Sequence, residues 1–131
     1  MARASHVASL AQVFSALSDP TRLRLLNLID GREVCVCHLV DVLRQSQPKI
    51  SRHLAYLRRA GLVRARREGK WMHYRLESAA TPETAALLDA ALAALRTDYS
   101  LQAERVRLER ACCGPSLVTL DGAPRPVTVA G

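Results

Sequence analysis

Four cysteines are the residues of this chain best suited to chemistry. They come as two close pairs, Cys35 and Cys37 within VCVCHLV, and the adjacent Cys112 and Cys113. Thiolates are soft donors and nucleophiles, so such pairs bind thiophilic ions or undergo reversible oxidation. In a regular α-helix, residues i and i+2 point about 200° apart and cannot share one small ion. In extended or first-turn backbone they can, because alternate side chains share a side. Cys35 and Cys37 fall at the start of a short helical segment, so capture of one ion by both sulfurs requires that turn to be absent or unwound. A helix N-terminus beside them lowers thiol pKa values and favours thiolate. The plainer account makes each cysteine a small hydrophobe buried beside Val34 and Val36. Two pairs in one chain weigh against it, although C-x-C alone is a weak motif.

The elements that would position these thiols can be read along the chain. At 131 residues and 49% hydrophobic, the sequence fits one domain with a modest core. The most apolar window, Ala85 to Leu95, is short and carries Asp89, so no membrane span is expected. The start, MARASHVASLAQVF, lacks the apolar core of a signal peptide. A cytoplasmic location follows as the expectation, where cysteines act as ligands, reactive thiols or fillers rather than as a disulfide framework.

Charge is segregated. From Arg44 to Arg75 ten Lys or Arg residues face one acid, Glu68, a net +9, while the other nine basic and eleven acidic residues give −2. A focused basic segment points to a polyanion, with nucleic acid first.

Val7, Leu10, Phe14 and Leu17 have helical spacing. In SDPTRLRLLNLIDG, Asp19 suits an N-cap, Pro20 a first helical position and Gly31 a left-handed C-terminus. A short segment from about Cys37 to Arg44 follows. QSQPKISRHLAYLRRAG then starts a helix on Ser46, buries Ile50, Leu54 and Leu57, and ends at Gly61. Beyond it LVRARREGKWMHYRL alternates with period two, which predicts a hairpin turning at Glu68-Gly69. Val63, Ala65, Met72, Tyr74 and Leu76 face inward, and Arg64, Arg66, Trp71, His73 and Arg75 face out. Thr81-Pro82 opens a further helix. Run unbroken to Arg110 it would be about 43 Å long, so a break is expected near Thr97 to Ser100. A second amphipathic segment then passes through Tyr99, Ala103 and Val106.

The fold class expected is mostly α with a small β-hairpin: a winged helix-turn-helix over residues 1–111. A tail, 112–131, carries the vicinal cysteines and is expected to be mobile. Candidate DNA contacts on the second helix are Ser46, Gln47, Lys49, Ser51, Arg52, His53 and Tyr56, with Arg66, Arg67 and Lys70 on the wing. The alternative for any charged face is simple solvation. Helix-turn-helix, basic helix and basic wing in order favour DNA. His6 and His73 read as surface residues. Apolar surplus on the first and late helices suggests a homodimer through the N- and C-terminal helices.

The run from about Leu17 to Leu76 resembles the ArsR/SmtB family of winged-helix metal-responsive repressors, through LSDPTRLRLLNLI, EVCVCHLVDVL, SQPKISRHLAYLRRAGLV and RREGKWMHYRL. The resemblance implies a homodimeric repressor that leaves operator DNA when an effector binds. Its arsenic-responsive branch uses C-V-C-D-L-C to hold As(III) or Sb(III) by three thiolates. Here His38 replaces the aspartate and Val40 the third cysteine. Cys35 and Cys37 therefore match family ligands, and Cys112 or Cys113 is the implied substitute for the third. His38 reads as a surface residue, with a role as a further ligand as the alternative. The family's zinc and nickel sites need C-terminal histidines, and none follows His73. Cadmium or lead sensing and thiol-redox sensing stay open as alternatives, with no organic cofactor expected. An enzyme is disfavoured, because the residues before Cys35 end a helix at Gly31 instead of forming a phosphate-type loop.

Overall fold

The computed structural model describes the backbone of residues 2–77, 81–112 and 127–128. Within them run α1 (Ala2–Leu17), α2 (Pro20–Ile29), β1 (Arg32–Cys35), α3 (Val36–Leu43), α4 (Gln47–Arg59), β2 (Val63–Glu68), β3 (Trp71–Leu76), α5 (Pro82–Arg96), α6 (Tyr99–Cys112) and β4 (Val127–Thr128). This is the winged helix-turn-helix that the sequence predicts. The helix starts are built alike. Asp19, Ser46 and Thr81 each accept a hydrogen bond from the backbone N–H three residues on, and each precedes a first turn containing proline. Such a cap satisfies an orphan donor and is worth about 1 kcal/mol.

The expected break in the late helix lies where Thr97 caps α5 and the Asp98 carboxylate accepts from the Leu101 N–H to begin α6. The buried face of α6 differs from the sequence reading. Tyr99 and Val106 are exposed, whereas Leu108 and the charged Glu104 are buried. Arg24 of α2 makes this possible: its Nε donates to both Glu104 oxygens at 3.1 and 3.0 Å. A buried acid is tolerated where it is paired and hydrogen-bonded. On α1, likewise, Val13 and Ala16 enter the core while Val7 and Phe14 stay outside.

The core gathers Leu25, Leu26, Leu28 and Ile29 of α2, Leu39 of α3, Ile50, Leu54 and Leu57 of α4, and Leu88 and Leu92 of α5. Strand order is β2-β3-β1-β4, with antiparallel pairing throughout. The hairpin closes on the pair Glu68–Trp71, so its turn is Gly69-Lys70, one residue later than expected. Gly69 has φ +60, a backbone open to glycine and costly for most others. β1 was not foreseen. Its four residues pair with β3 through Val34–Tyr74 and Cys35–His73. Val127–Thr128 adds an edge strand opposite Arg32 and Glu33. The rest of the tail, Cys113 included, lies outside the described residues.

Between α3 and α4 the chain turns on Arg44, whose φ of 54° is left-handed without being glycine. Its N–H caps α3 by donating to the Val40 carbonyl. Arg44→Gly should therefore stabilise the protein by about 0.5–1 kcal/mol, the strain of a side chain in that region less glycine's greater unfolded freedom. Urea unfolding of the two proteins checks it, and a loss of stability would mean that the Arg44 side chain itself supports the turn.

Candidate thiol site and nucleic-acid interface

Cys35 is the last residue of β1, with φ −69 and ψ 140, and serves as the N-cap residue of α3; Cys37 sits in the first helical turn. The pair straddles a strand-to-helix junction. Extended backbone at Cys35 turns its side chain to the same side as that of Cys37, and the Cys37 thiol donates to Cys35 Sγ at 2.8 Å. This corrects the sequence expectation that the helix must unwind before both sulfurs can meet. The intervening turn is helical, but one of the two cysteines lies outside it.

The junction also splits the two thiols electrostatically. The hydrogen bond from Cys37 lowers the Cys35 pKa to about 7 against the cost of burial, helped by the Cys37 and His38 N–H groups at the α3 N-terminus. Cys37 is pushed upward because it holds the proton that its partner shares. Cys35 is thus mostly thiol below pH 7 and mostly thiolate above. In a Cys112→Ser/Cys113→Ser chain, thiolate ultraviolet absorbance should rise with a midpoint near pH 7. Cys37→Ala should move that midpoint to the ordinary thiol range, about 8.5 or higher. An unchanged midpoint would remove Cys37 as the cause.

Two histidines flank the thiols, and both contradict the sequence reading of surface residues. His38 and His73 are 3% and 2% exposed. His73 lies directly across from Cys35 on β3, beneath α3 packing as well as its two neighbouring strands. Burial lowers both pKa values, so both rings are neutral near pH 7. Among the described residues His38 Nδ1 and His73 Nε2 have no hydrogen-bond partner, and Glu68 Oε2 stands 3.6 Å from the latter. Among the described residues no three His, Cys, Asp or Glu side chains converge as a metal site. Cys113 and the Cys112 side chain lie outside those residues. α6 nevertheless ends on Cys112 and packs against α3, which carries Cys37.

The nucleic-acid side divides into open and occupied residues. Ser46, Gln47, Lys49 and Arg52 are exposed along the first half of α4, and Ser51 is half-buried there. The Ser46 hydroxyl caps the helix by accepting from the Lys49 N–H. Tyr56 and His53 are half-buried and engaged. The Arg22 guanidinium lies 4.2 Å over the Tyr56 ring, and its Nη1 is 3.4 Å from His53 Nδ1, which also faces Asp19 at 3.7 Å. Arg22 further donates to the Ala16 and Ser15 carbonyls at the end of α1. On the wing, Arg67 and Lys70 are exposed, and Lys70 Nζ stands 5.3 Å over the Trp71 ring. Arg66 is held otherwise. Its Nη2 and Nε reach Glu33 Oε1 at 2.6 and 3.1 Å, and its Nη1 reaches Glu68 at 3.1 Å. Neither Arg22 nor Glu33 stood out in the sequence. Only contacts across 31 to 33 positions reveal them.

A family model for the bacterial regulatory proteins of the arsR family matches residues 19–65, the stretch from the α2 cap into the wing. The arsenical resistance operon repressor of Escherichia coli (strain K12) is 49% identical over 81 residues, 61% of this chain and 69% of that relative. The chain belongs to the arsR family. This arsR-family protein is accordingly a helix-turn-helix transcriptional repressor. A cadmium resistance transcriptional regulatory protein CadC homolog from Staphylococcus aureus is 37% identical over 68 residues, 51% of this chain and 56% of its own. Among solved structures, the homodimeric winged helix-turn-helix DNA-binding domain Mb0332 from Mycobacterium bovis superposes with TM-score 0.59 at 31% identity, covering 77% of this chain and 89% of its own. Among the described residues no helix is long and apolar enough to cross a membrane.

Proposed function

We propose that this arsR-family repressor binds operator DNA as a homodimer and releases it when its thiolates capture As(III) or Sb(III). The observation that carries this reading is the Cys35–Cys37 pair, two sulfurs 2.8 Å apart at a strand-to-helix junction. Such a pair presents two soft donors, one of them ionising near pH 7, to a thiophilic ion. The third thiolate comes from Cys112 or Cys113, a reading supported by the packing of α6 on α3. DNA is contacted by Ser46, Gln47, Lys49, Ser51 and Arg52 of α4, with His53 and Tyr56 at its half-buried edge and Arg67 and Lys70 on the wing. The exposed Val7 and Phe14 of α1 support a dimer formed through that helix.

The same thiol contact favours a second reading, oxidation of the pair as the releasing signal. Operator anisotropy titrated separately with arsenite, cadmium and peroxide tests all three. Release by micromolar arsenite and not by peroxide is expected. Release by peroxide alone would replace the metalloid reading with the redox one, and release by cadmium alone would assign the site to a divalent cation.

A further inference from the structure

Glu33, Cys35, His73 and Arg66 share one face of the sheet, because β1 residues alternate and because His73 pairs with Cys35 on one side and Arg66 on the other. Glu33 reaches across β3 to Arg66, so its carboxylate straps the thiol-bearing strand β1 to the wing strand β2. This is a bidentate arginine–carboxylate pair on an acid that is 8% exposed, a geometry far more rigid than a single surface ion pair. All three guanidinium nitrogens of Arg66 are turned to carboxylates, of Glu33 and Glu68. Arg64 and Arg75 line the same recess, so what sets Arg66 apart is that its guanidinium is committed to carboxylates.

Ion capture has to disturb this arrangement. Capture replaces the contact between the Cys37 thiol and Cys35 Sγ with two ion–sulfur bonds, so the ion and no longer the shared proton sets how the sulfurs stand. Cys35 is joined to Glu33 through a single residue of β1, so a change at its sulfur bears directly on that strand.

We propose that Glu33 and Arg66 are positioning residues that transmit ion capture at Cys35 and Cys37 to the wing, and that Arg66 is not a phosphate contact. The inference rests on the reading that these two thiols hold the effector, and it concerns how the wing learns of it. Two arms keep the two ideas separate. Operator affinity is measured with and without arsenite in the full chain, and with and without mercuric ion in a Cys112→Ser/Cys113→Ser chain, where only the C-x-C pair can capture it. Each arm is run with Glu33 intact, with Glu33→Gln and with Arg66→Lys, and thermal melts by circular dichroism confirm folding. In the ion-free state both variants should bind operator within about twofold of their parent, with the same salt dependence. The ratio of affinities with and without ion should fall in both variants from its parental value, typically 5–150-fold, toward one.

Arg66→Lys guards against misreading. It keeps a charge able to meet a phosphate but loses the bidentate hold. Unchanged coupling in both variants would overturn the relay. So would an Arg66→Gln variant whose log–log salt slope falls by about one, the mark of a lost phosphate contact. Mercuric release without arsenite release would sink the metalloid reading alone and leave the relay measured. Release by neither ion would overturn both.

Discussion

Arsenite should lose its effect on the operator complex when either Cys35 or Cys37 becomes serine, the midpoint for release rising by at least about a hundredfold. Replacing an outer-shell partner of a bound ion already costs about 10–100-fold, and the thiols would be ligands themselves. Serine is nearly isosteric and still able to hydrogen bond, so operator affinity without arsenite should stay within about threefold of wild type. The two variants differ in one respect. Cys35 is fully buried at the end of β1, whereas Cys37 is half-buried in the first helical turn. A small loss of stability is therefore expected for Cys35→Ser and none for Cys37→Ser. Cys112→Ser and Cys113→Ser tested singly should reveal one residue whose loss matches that of Cys35 and one that is silent. If all four single variants still release DNA at the wild-type arsenite concentration, the thiols are not the sensor.

Arg24→Ala should destabilise the fold by about 3 kcal/mol, because it strands a buried carboxylate. The Glu104 side chain is only 6% exposed and accepts from Arg24 Nε twice. Arg107 stays 3.4 Å away and half in solvent, which holds the loss to the low end of the range for a broken buried pair. Removing both partners is a different experiment. Arg24→Met with Glu104→Leu leaves no orphaned charge and extends the apolar contact with Leu108, so the double variant should fall within about 1 kcal/mol of wild type. Urea unfolding followed by circular dichroism distinguishes them. A single variant as stable as the double would show that Glu104 recovers solvent when its partner goes. In a domain whose total stability is of order 5–15 kcal/mol, the difference decides whether the repressor is folded at working temperature.

Much of the fold was legible because its signals are local. Asp19, Ser46 and Thr81 announce helix starts within four residues of themselves, and Ile50, Leu54 and Leu57 define the buried side of the recognition helix by spacing alone. The C-x-C pair was legible as a chemical site for the same reason. What escaped the sequence depends on partners far along the chain. β1 is four residues long and is a strand only because β3 lies beside it. Period two correctly put His73 on the same face as Arg66, but His73 is buried there, on a strand that packs against both β1 and α3. His38 follows its helix inward to the same covered place. Glu104 reads as a surface acid until Arg24 is seen across 80 positions, and the pairing of Arg66 with Glu33 spans 33.

Arg22 has a bearing on operator architecture. One side chain is bonded to the last carbonyls of α1 and stacked on Tyr56 of α4, so the helix that carries the exposed Val7 and Phe14 and the helix that would enter the groove are clamped to each other. In a dimer joined through α1, the distance between the two reading helices is then a property of each folded subunit and not of a flexible hinge. Such a protein works as a fixed-gauge caliper. It should accept base changes inside a half-site more readily than the insertion of a single base pair between the halves.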